Sequence, residues 1–524
     1  MFKKLLAAFI LILPLCTLNA EAKEGEKFLN FKRDDLVRQQ LDTLEAHSYA
    51  QQLLAEPTEP VWKLSMTDCL RIVLDKNINI RVSYLGLDTA KRDVTSNQAD
   101  FDTNLTSSTS FARGRTAAEL DESPSLSDSV STSGGLERKL PTGGTIGADL
   151  THSRSGRSEH SYSSSSTLSL SQPILSGFGS KVTLASIRIS ENSYKIAFED
   201  LRQSIHDEIT NAELAYWDIL EARENLETRK LAYTQAQSLK DRNQRAMMLG
   251  DRAYTDVLQA EATAASREED VIQAENAVLE AEDNLRKILN IEDIRQWNSR
   301  IDTIDKISPD FKAELPDLTW CLEQAFANRP DYKQAVKQLE NNKINLMVAG
   351  NALLPDVTLD ANYALSGAGA QSANSFNKLK SGDFGSWDAS LSVSYPWDNR
   401  ADKATYESSV NALKQQELQL RDLRLTIVKE VRSAVRLIQT AIKRVEVADV
   451  AYSLQKKNLE AEEKKYSLGL STSFEVLSFQ EDLANSAVSR IGAVVDYHRS
   501  VVRLWSTIGI TLQKNGILFD NPNP

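Results

Sequence analysis

Cysteine is nearly missing from this sequence. Of three, Cys16 lies in an apolar N-terminal run, which leaves Cys69 and Cys321. Two thiols cannot staple a chain of 524 residues, so packing must stabilise it. They read as buried free thiols, with a Cys69–Cys321 disulfide as the alternative in an oxidising compartment. The five histidines form no metal-ligand spacing. Beyond the N-terminus no run of about 20 apolar residues occurs, which excludes a helical membrane protein. A soluble protein or a β-barrel remains, because alternation dilutes the apolar signal of barrel strands. A net charge of -12 repels phosphate and argues against a nucleic-acid partner. There is no phosphate-cradling glycine loop, no zinc spacing and no nucleophile elbow, so neither an enzyme nor a bound cofactor is expected.

Proline is absent between Pro173 and Pro309 and again between Pro396 and Pro522. Both stretches are rich in Ala, Leu, Glu, Lys, Arg and Gln, the strong helix formers. Apolar residues recur every three or four positions: Ile205, Ile209, Leu214, Trp217 and Leu220 in the first, Ile427, Val431, Val435 and Ile438 in the second. Each contains one prominent interruption, at Gly250 and at Gly469, so each stretch reads as two antiparallel helices joined at a turn. A helix from near Val182 to Gly250 would run roughly 100 Å, which implies coiled-coil packing on neighbours.

The N-terminus carries an address. Lys3 and Lys4 precede an apolar run from Leu5 to Leu18, followed by Ala20-Glu21-Ala22 in the spacing that signal peptidase reads. Residues 1–22 therefore read as a signal peptide. The apolar run is too short to anchor in a bilayer, and Leu15 before Cys16 is bulkier than a lipoprotein site wants. Residues 23–61 read as an N-terminal extension of helical and linker character.

Between the helical stretches the period changes to two. Val357, Leu359, Ala361, Tyr363 and Leu365 alternate with small or polar residues, as do Trp387, Ala389, Leu391, Val393 and Tyr395. Phe101, Leu105 and Phe111, then Ile146, Ala148 and Leu150, then Leu168 and Leu170, do the same. A soluble sheet with one buried face gives this pattern too; aromatic strand ends and the export signal tilt it toward a transmembrane barrel. The serine-rich stretches Asp121–Thr132, Ser153–Ser166 and Ser366–Gly382 are expected as exposed loops.

The chain also repeats itself. Asp200-Leu201-Arg202 returns as Asp422-Leu423-Arg424, Ile205 matches Ile427 and Glu208 matches Glu430. Gly250 is followed by Asp256-Val257-Leu258, and Gly469 at the same spacing by Glu475-Val476-Leu477. Leu64-Ser65 through Cys69-Leu70 opens one unit and Leu318-Thr319 through Cys321-Leu322 the other; Ser171-Gln172-Pro173 and Ser394-Tyr395-Pro396 precede the long helices.

From Leu64 to Leu512 this double unit resembles the TolC family of outer-membrane efflux proteins. The resemblance is carried by Asn328-Arg329-Pro330-Asp331, Leu353-Leu354-Pro355-Asp356, and Tyr466-Ser467-Leu468-Gly469 with Glu475-Val476-Leu477. It implies a mainly α protein with a membrane β-barrel, built from two repeats of helix, β-hairpin and long helical hairpin. The repeats would span 62–310 and 311–515, with a tail at 516–524. It implies a homotrimer whose strands close one barrel in outer-membrane lipid, continued by a helical tube across the periplasm. The partners would be a periplasmic adaptor and an inner-membrane transporter, and the function an exit duct for efflux or type I secretion. A non-transporting periplasmic coiled-coil or adaptor protein is the alternative. Residues Phe101 to Gln172 hold four candidate strands where the family's first unit has two; two transmembrane strands per unit are expected, with the first embellished.

A duct works by passage and gating. The turns at Gly250 and Gly469 are the expected constriction, where three-fold symmetry turns one acid into a ring of three. The resemblance assigns Glu475 as gate carboxylate, Asp256 as the acid of the first tip and Tyr466 as a tip tyrosine bonding across neighbouring hairpins. Ser471 and Ser478 replace a basic residue and an acid found in some members, so the closed-state lock must differ, with Arg252 or hydroxyl bonds as substitutes. Leu249 and Leu468, beside the two glycines, would meet the adaptor. The bland reading of each of these residues is a helix cap or a surface charge.

Overall fold

The computed structural model describes residues 61–116, 125–156, 160–250, 252–307, 315–517 and 519. The expected signal peptide, the N-terminal extension up to residue 60 and most of the C-terminal tail lie outside these residues. The first half runs β1 (Val61–Leu64), α1 (Met66–Lys76), α2 (Ile78–Ala99), β2 (Thr103–Thr116), β3 (Ser125–Lys139), β4 (Thr145–Ser155), β5 (Ser161–Pro173), the short α3 (Ser180–Thr183), α4 (Ala185–Met248), α5 (Tyr254–Ile288) and β6 (Arg300–Thr303). The second runs α6 (Leu318–Asn328), α7 (Pro330–Ala352), β7 (Asp356–Gly369), α8 (Ser372–Ser381), β8 (Gly385–Ser394), α9 (Arg400–Ser467), α10 (Ser473–Ile508) and α11 (Thr511–Lys514).

The chain forms two units. In one, whose described residues are 61–64 and Ile291–Ile304, β1 and β6 pair in parallel, Val61 opposite Arg300. These four-residue strands are too short to show a period, and no strand was expected at either place.

The other unit holds everything else. Its helices behave as their composition dictates. α4 has 64 residues and α9 has 68, so each runs about 100 Å at 1.5 Å per residue. α4 packs against α5, and α9 against α10, as antiparallel hairpins; α10 also packs on α4, which joins the two hairpins. One core stripe of α9 is Ile427, Val431, Val435, Ile438, Ala441 and Val445, all buried against Val494, Tyr497, Leu504 and Ile508 of α10. Burying each such branched side chain stabilises by about 1.5–3 kcal/mol, far beyond helix propensity. Charges then fix the pairing of hairpins: Arg499 of α10 bonds to Asp218 and Glu221 of α4, and its neighbour His498 stacks on Trp217 with centroids 4.2 Å apart.

The turns between short helices are anchored alike in both halves. Asn77 and Asn79 donate to the two oxygens of Glu208 on α4 at 2.8 and 2.7 Å. Arg329 donates to Glu430 on α9 at 2.7 Å. Cys69 and Cys321, one in each opening helix, are buried unpaired thiols. Burial pushes the Cys69 thiol up to about 12.

The strands form one antiparallel sheet in the order β2-β3-β4-β5-β7-β8. Four of the six come from the first half, in a single continuous ladder, so the four candidate strands between Phe101 and Gln172 all pair in one sheet. Its faces differ sharply. Leu105, Leu136, Ala148, Leu168, Tyr363 and Trp387 lie directly opposite one another from edge to edge. Side chains alternate across a strand, so this row and its apolar neighbours Leu150, Leu170, Leu359, Leu365 and Leu391 share one face. The other face carries Ser, Thr, Asn and Gly, with Glu137, Asp149, Asp360 and Asp388 among them. Hydroxyls there bond across the ladder, as Ser153 to Ser163 at 2.6 Å.

The serine-rich loops need correction for the same reason. Ser125–Thr132 belongs to β3, Ser153–Ser155 to β4 and Ser161–Ser166 to β5. A serine at every polar-facing position reads as loop by composition, yet it satisfies a strand whose backbone is fully laddered. Ser366–Gly382 is the end of β7 followed by α8, which lies on β5 and β7. Glycines make room for it: a Cβ on Gly367 would stand 2.2 Å from the Ser375 carbonyl oxygen. Ser375 bonds to Ser164 at 3.0 Å, and His152 stacks on Phe376.

The tight turn from Leu140 to Gly144 lies on the rim facing the helices. Thr142 accepts a bond from the Gly179 amide at 2.9 Å and so ties the turn to the start of α3.

Candidate gate at the helical tips

Both helical hairpins turn through a left-handed glycine. Gly250 has φ +81° and Gly469 has φ +74°, a conformation costly for any residue with a Cβ. At the second tip Leu470 reaches back to the Lys465 carbonyl at 2.9 Å and Gly469 to Tyr466 at 3.1 Å, closing off α9. Thr472 then caps α10. Its hydroxyl accepts from the Glu475 amide, and the Glu475 carboxylate accepts from the Thr472 amide, both at 3.3 Å. The first tip is plainer: Ala253 precedes α5 and offers no side-chain cap.

The expected gate residues fall into two groups. Tyr466 and Ser471 are buried, whereas Glu475 and Ser478 are exposed and Asp256 half-buried. The Tyr466 hydroxyl crosses to the other hairpin. It donates to Asn243 Oδ1 of α4 at 2.5 Å and stands 3.0 Å from Ser473 Oγ of α10. Asn243 in turn donates to Ser473 at 2.8 Å and to the Asp256 carbonyl at 3.3 Å. Thus Asp256 joins this network through its backbone. Arg252 covers the Tyr466 ring at 4.4 Å, a cation–π contact from the first tip to the second. Apolar residues back the site: Ala236, Leu239, Ala260, Leu459, Val476 and Leu477.

Ser471 stands between two acids. Its oxygen is 2.5 Å from Glu462 Oε1 and 2.8 Å from Glu475 Oε2. One hydroxyl has one proton, so the two carboxylates compete for it. Bonds from Ser471 and from Lys465 hold the Glu462 carboxyl below its usual range. Glu475 is therefore both a helix cap and part of an acidic tip. Leu249, Leu468 and Leu470 project into solvent around these turns.

Asn243, Glu462 and Ser473 escaped the reading of the sequence, though a signal exists. Asn243 and Glu462 each lie seven residues before their turn glycine, on the buried stripes Ala236-Leu239-Asn243 and Leu459-Glu462-Tyr466. A polar residue at a core position in both halves marks a buried polar junction. Among the described residues no group of His, Cys, Asp and Glu could hold a metal ion, and no helix is long and apolar enough to cross a membrane.

Comparison with known proteins gives the same architecture. No curated protein matches the sequence. Solved structures match the fold: the Campylobacter jejuni CmeC outer membrane channel at 16% identity and TM-score 0.65, over 85% of this chain and 86% of that one. The Vibrio cholerae outer membrane protein VceC matches at 14% and 0.64, over 85% and 96%. The open state of the Neisseria gonorrhoeae MtrE outer membrane channel matches at 15% and 0.62, over 85% and 89%. The model of the outer membrane efflux protein family matches residues 70–290 and again 321–509, one segment in each half and most of the chain together. A two-faced sheet set on paired helical hairpins, matched twice by one family model, makes this chain a member of the outer membrane efflux protein family.

Proposed function

We propose that three copies of this chain assemble into one duct, with the sheet as a shared barrel in the outer membrane and the helical hairpins as its periplasmic wall. The observation that carries this reading is the pair of unlike sheet faces leading into hairpins about 100 Å long. A sheet with an apolar row crossing one face from edge to edge suits lipid on that side and water on the other, and in lipid its edges must close. Cyclic association closes them. The two repeats of helix, strands and helical hairpin then supply the wall twice per chain.

The gate sits at the tips. Three Glu475 and three Asp256 side chains near the axis would form acidic rings that favour cations in a narrow pore. The Tyr466–Asn243–Ser473 network and the Arg252 contact hold the two tips of a chain together in the closed arrangement, with Ser471 bridging the acids and Ser478 beside them. Leu249 and Leu468, with Gly250 and Gly469 shaping the turns, offer an apolar surface to a periplasmic adaptor, which links the duct to an inner-membrane transporter. Imaging of particles extracted from the outer membrane tests the assembly. A three-fold particle with a helical tube below a detergent belt supports it, and a soluble monomer or dimer overturns it.

A further inference from the structure

The two edge strands of the sheet have no partner strand within the described residues, and all six strands are long enough to cross a bilayer. β8, the shortest, has 10 residues, within the 9–11 that a transmembrane strand needs. The apolar row reaches both edges, ending in Leu105 on β2 and Trp387 on β8, each well exposed. An exposed ladder edge with apolar side chains is a template for another strand.

Building on the duct reading, we propose that β8 of one copy pairs with β2 of the next, so that the barrel has eighteen strands rather than the twelve that two strands per repeat would give. Three features of the chain support this. First, six strands in an antiparallel ladder leave β2 and β8 running in opposite directions. When a copy is rotated about the barrel axis its β2 therefore meets β8 of its neighbour antiparallel, and the ladder continues without a change of pattern. Second, counted from the helix-side ends of their strands, Trp387 stands seven residues up β8 and Phe111 eight residues up β2, so the same rotation sets these two apolar side chains at about one height on the same face. The lipid-facing belt then continues through each junction, and the serine-lined face stays inside.

Third, the widths agree. With strands about 4.8 Å apart and tilted about 40°, each takes about 6 Å of circumference, so six take about 38 Å. Four helix ends meet the sheet in each chain: α2 and α7 lead into it, and α4 and α9 leave it. α2 packs on α4, α4 on α7 and α7 on α9. Four helices spaced 8–10 Å apart take about 32–40 Å. Four strands would take only about 25 Å, and the wall would have to taper sharply at the junction. The first half's added strands turn back at the tight Leu140–Gly144 turn rather than into a helix, so they add barrel circumference without adding a helix end. The barrel would be about 36 Å across at the backbone, against about 24 Å for twelve strands.

Cross-linking of the full-length channel in native membranes tests the junction. Trp387→Cys is combined in turn with Thr109→Cys, Phe111→Cys and Arg113→Cys. Within one chain these sites lie at opposite edges of the sheet, five ladder steps or about 24 Å apart, so a bond between them must join two copies. Oxidation should give a covalent ladder up to trimer for at least one pair and for none of the four single variants. Imaging counts the strands of the same particles. A three-fold particle with eighteen strands and the cross-link upholds the inference. A three-fold particle with twelve strands and β2–β3 outside the barrel overturns it while leaving the duct intact. Particles with no three-fold barrel overturn both.

Discussion

Tyr466→Phe isolates the polar junction between the tips. The change keeps the ring, so the contacts to Leu459 and Val476 and the Arg252 guanidinium at 4.4 Å survive. It removes one hydroxyl, and with it the donor to Asn243 Oδ1 at 2.5 Å and the contact to Ser473 Oγ at 3.0 Å. Asn243 is wholly buried and keeps its own donations, but its oxygen loses the bond from Tyr466. Leaving a buried acceptor unpaired costs about 1–3 kcal/mol. Water can supply that partner once the tips part, so the cost falls on local opening rather than on global unfolding. The open population should rise about 5- to 150-fold. Hydrogen exchange reads this directly. Amides near Asn243 and Ser473 should exchange faster by that factor, while amides around Ile219 and Ile438, far up the hairpins, keep their protection. Asn243→Ala also removes the donations to Ser473 and the Asp256 carbonyl, so it should cost more; adding Tyr466→Phe to it should then cost less than Tyr466→Phe does alone, because their shared bond is already gone. Unchanged protection at the tips would refute the reasoning, and so would an equal loss along the whole hairpin.

Glu475→Gln keeps the capping geometry but removes the charge, so stability should hold while cation preference in planar bilayers falls; unchanged ion selectivity would remove Glu475 from the pore. Gly469→Ala meets no atom within 4 Å, yet φ of +74° should cost about 1–2 kcal/mol, seen as faster exchange confined to that tip. Gly367→Ala should unseat α8, because its Cβ would stand 2.2 Å from the Ser375 oxygen. Protease should then cut between Gly369 and Gly385 in the variant and spare the parent. His206 is buried on α4, with its pKa brought down to about 4 by burial first and then by Arg202 and Lys333. The folded state therefore resists protonation while the unfolded state accepts it near 6.5. Stability is lost as pH falls from about 6.5 to about 4, by about 3 kcal/mol from this group. His206→Gln should flatten the fall of melting temperature over that range.

The helical half of the fold was legible because its signal is redundant. Two proline-free stretches, a three-and-four period and one prominent interruption in each all point to the same pair of hairpins, and Gly250 and Gly469 do turn the chain. The sheet was legible only where large apolar residues alternate, as in β7 and β8. In β3 serine alternates with Leu126, Asp128, Val130, Thr132 and Gly134, a mixture of apolar, charged and small residues in which no clear hydropathy period registers. The register had to be seen before Leu136 could be placed opposite Leu105 and Ala148. The tips show a different limit. Tyr466, Glu475 and the two glycines came from a resemblance in local motif, but Asn243 lies on the other hairpin, 223 residues away in sequence, and only packing brings it to the tyrosine. The competition of Glu462 and Glu475 for one serine proton was likewise invisible in the spacing.

In the proposed duct, the serine-lined face of the sheet bears on how cargo leaves. A hydroxyl exchanges its bonds with water at little cost, and a wall made mostly of them offers no deep well for an aromatic ring or a fatty tail. The few carboxylates among them are spread over several rows. Such a wall neither retains a departing molecule nor asks what it is, and the last stage of export becomes ordinary diffusion down a wetted pipe. Selection must then be complete before a molecule reaches the strands.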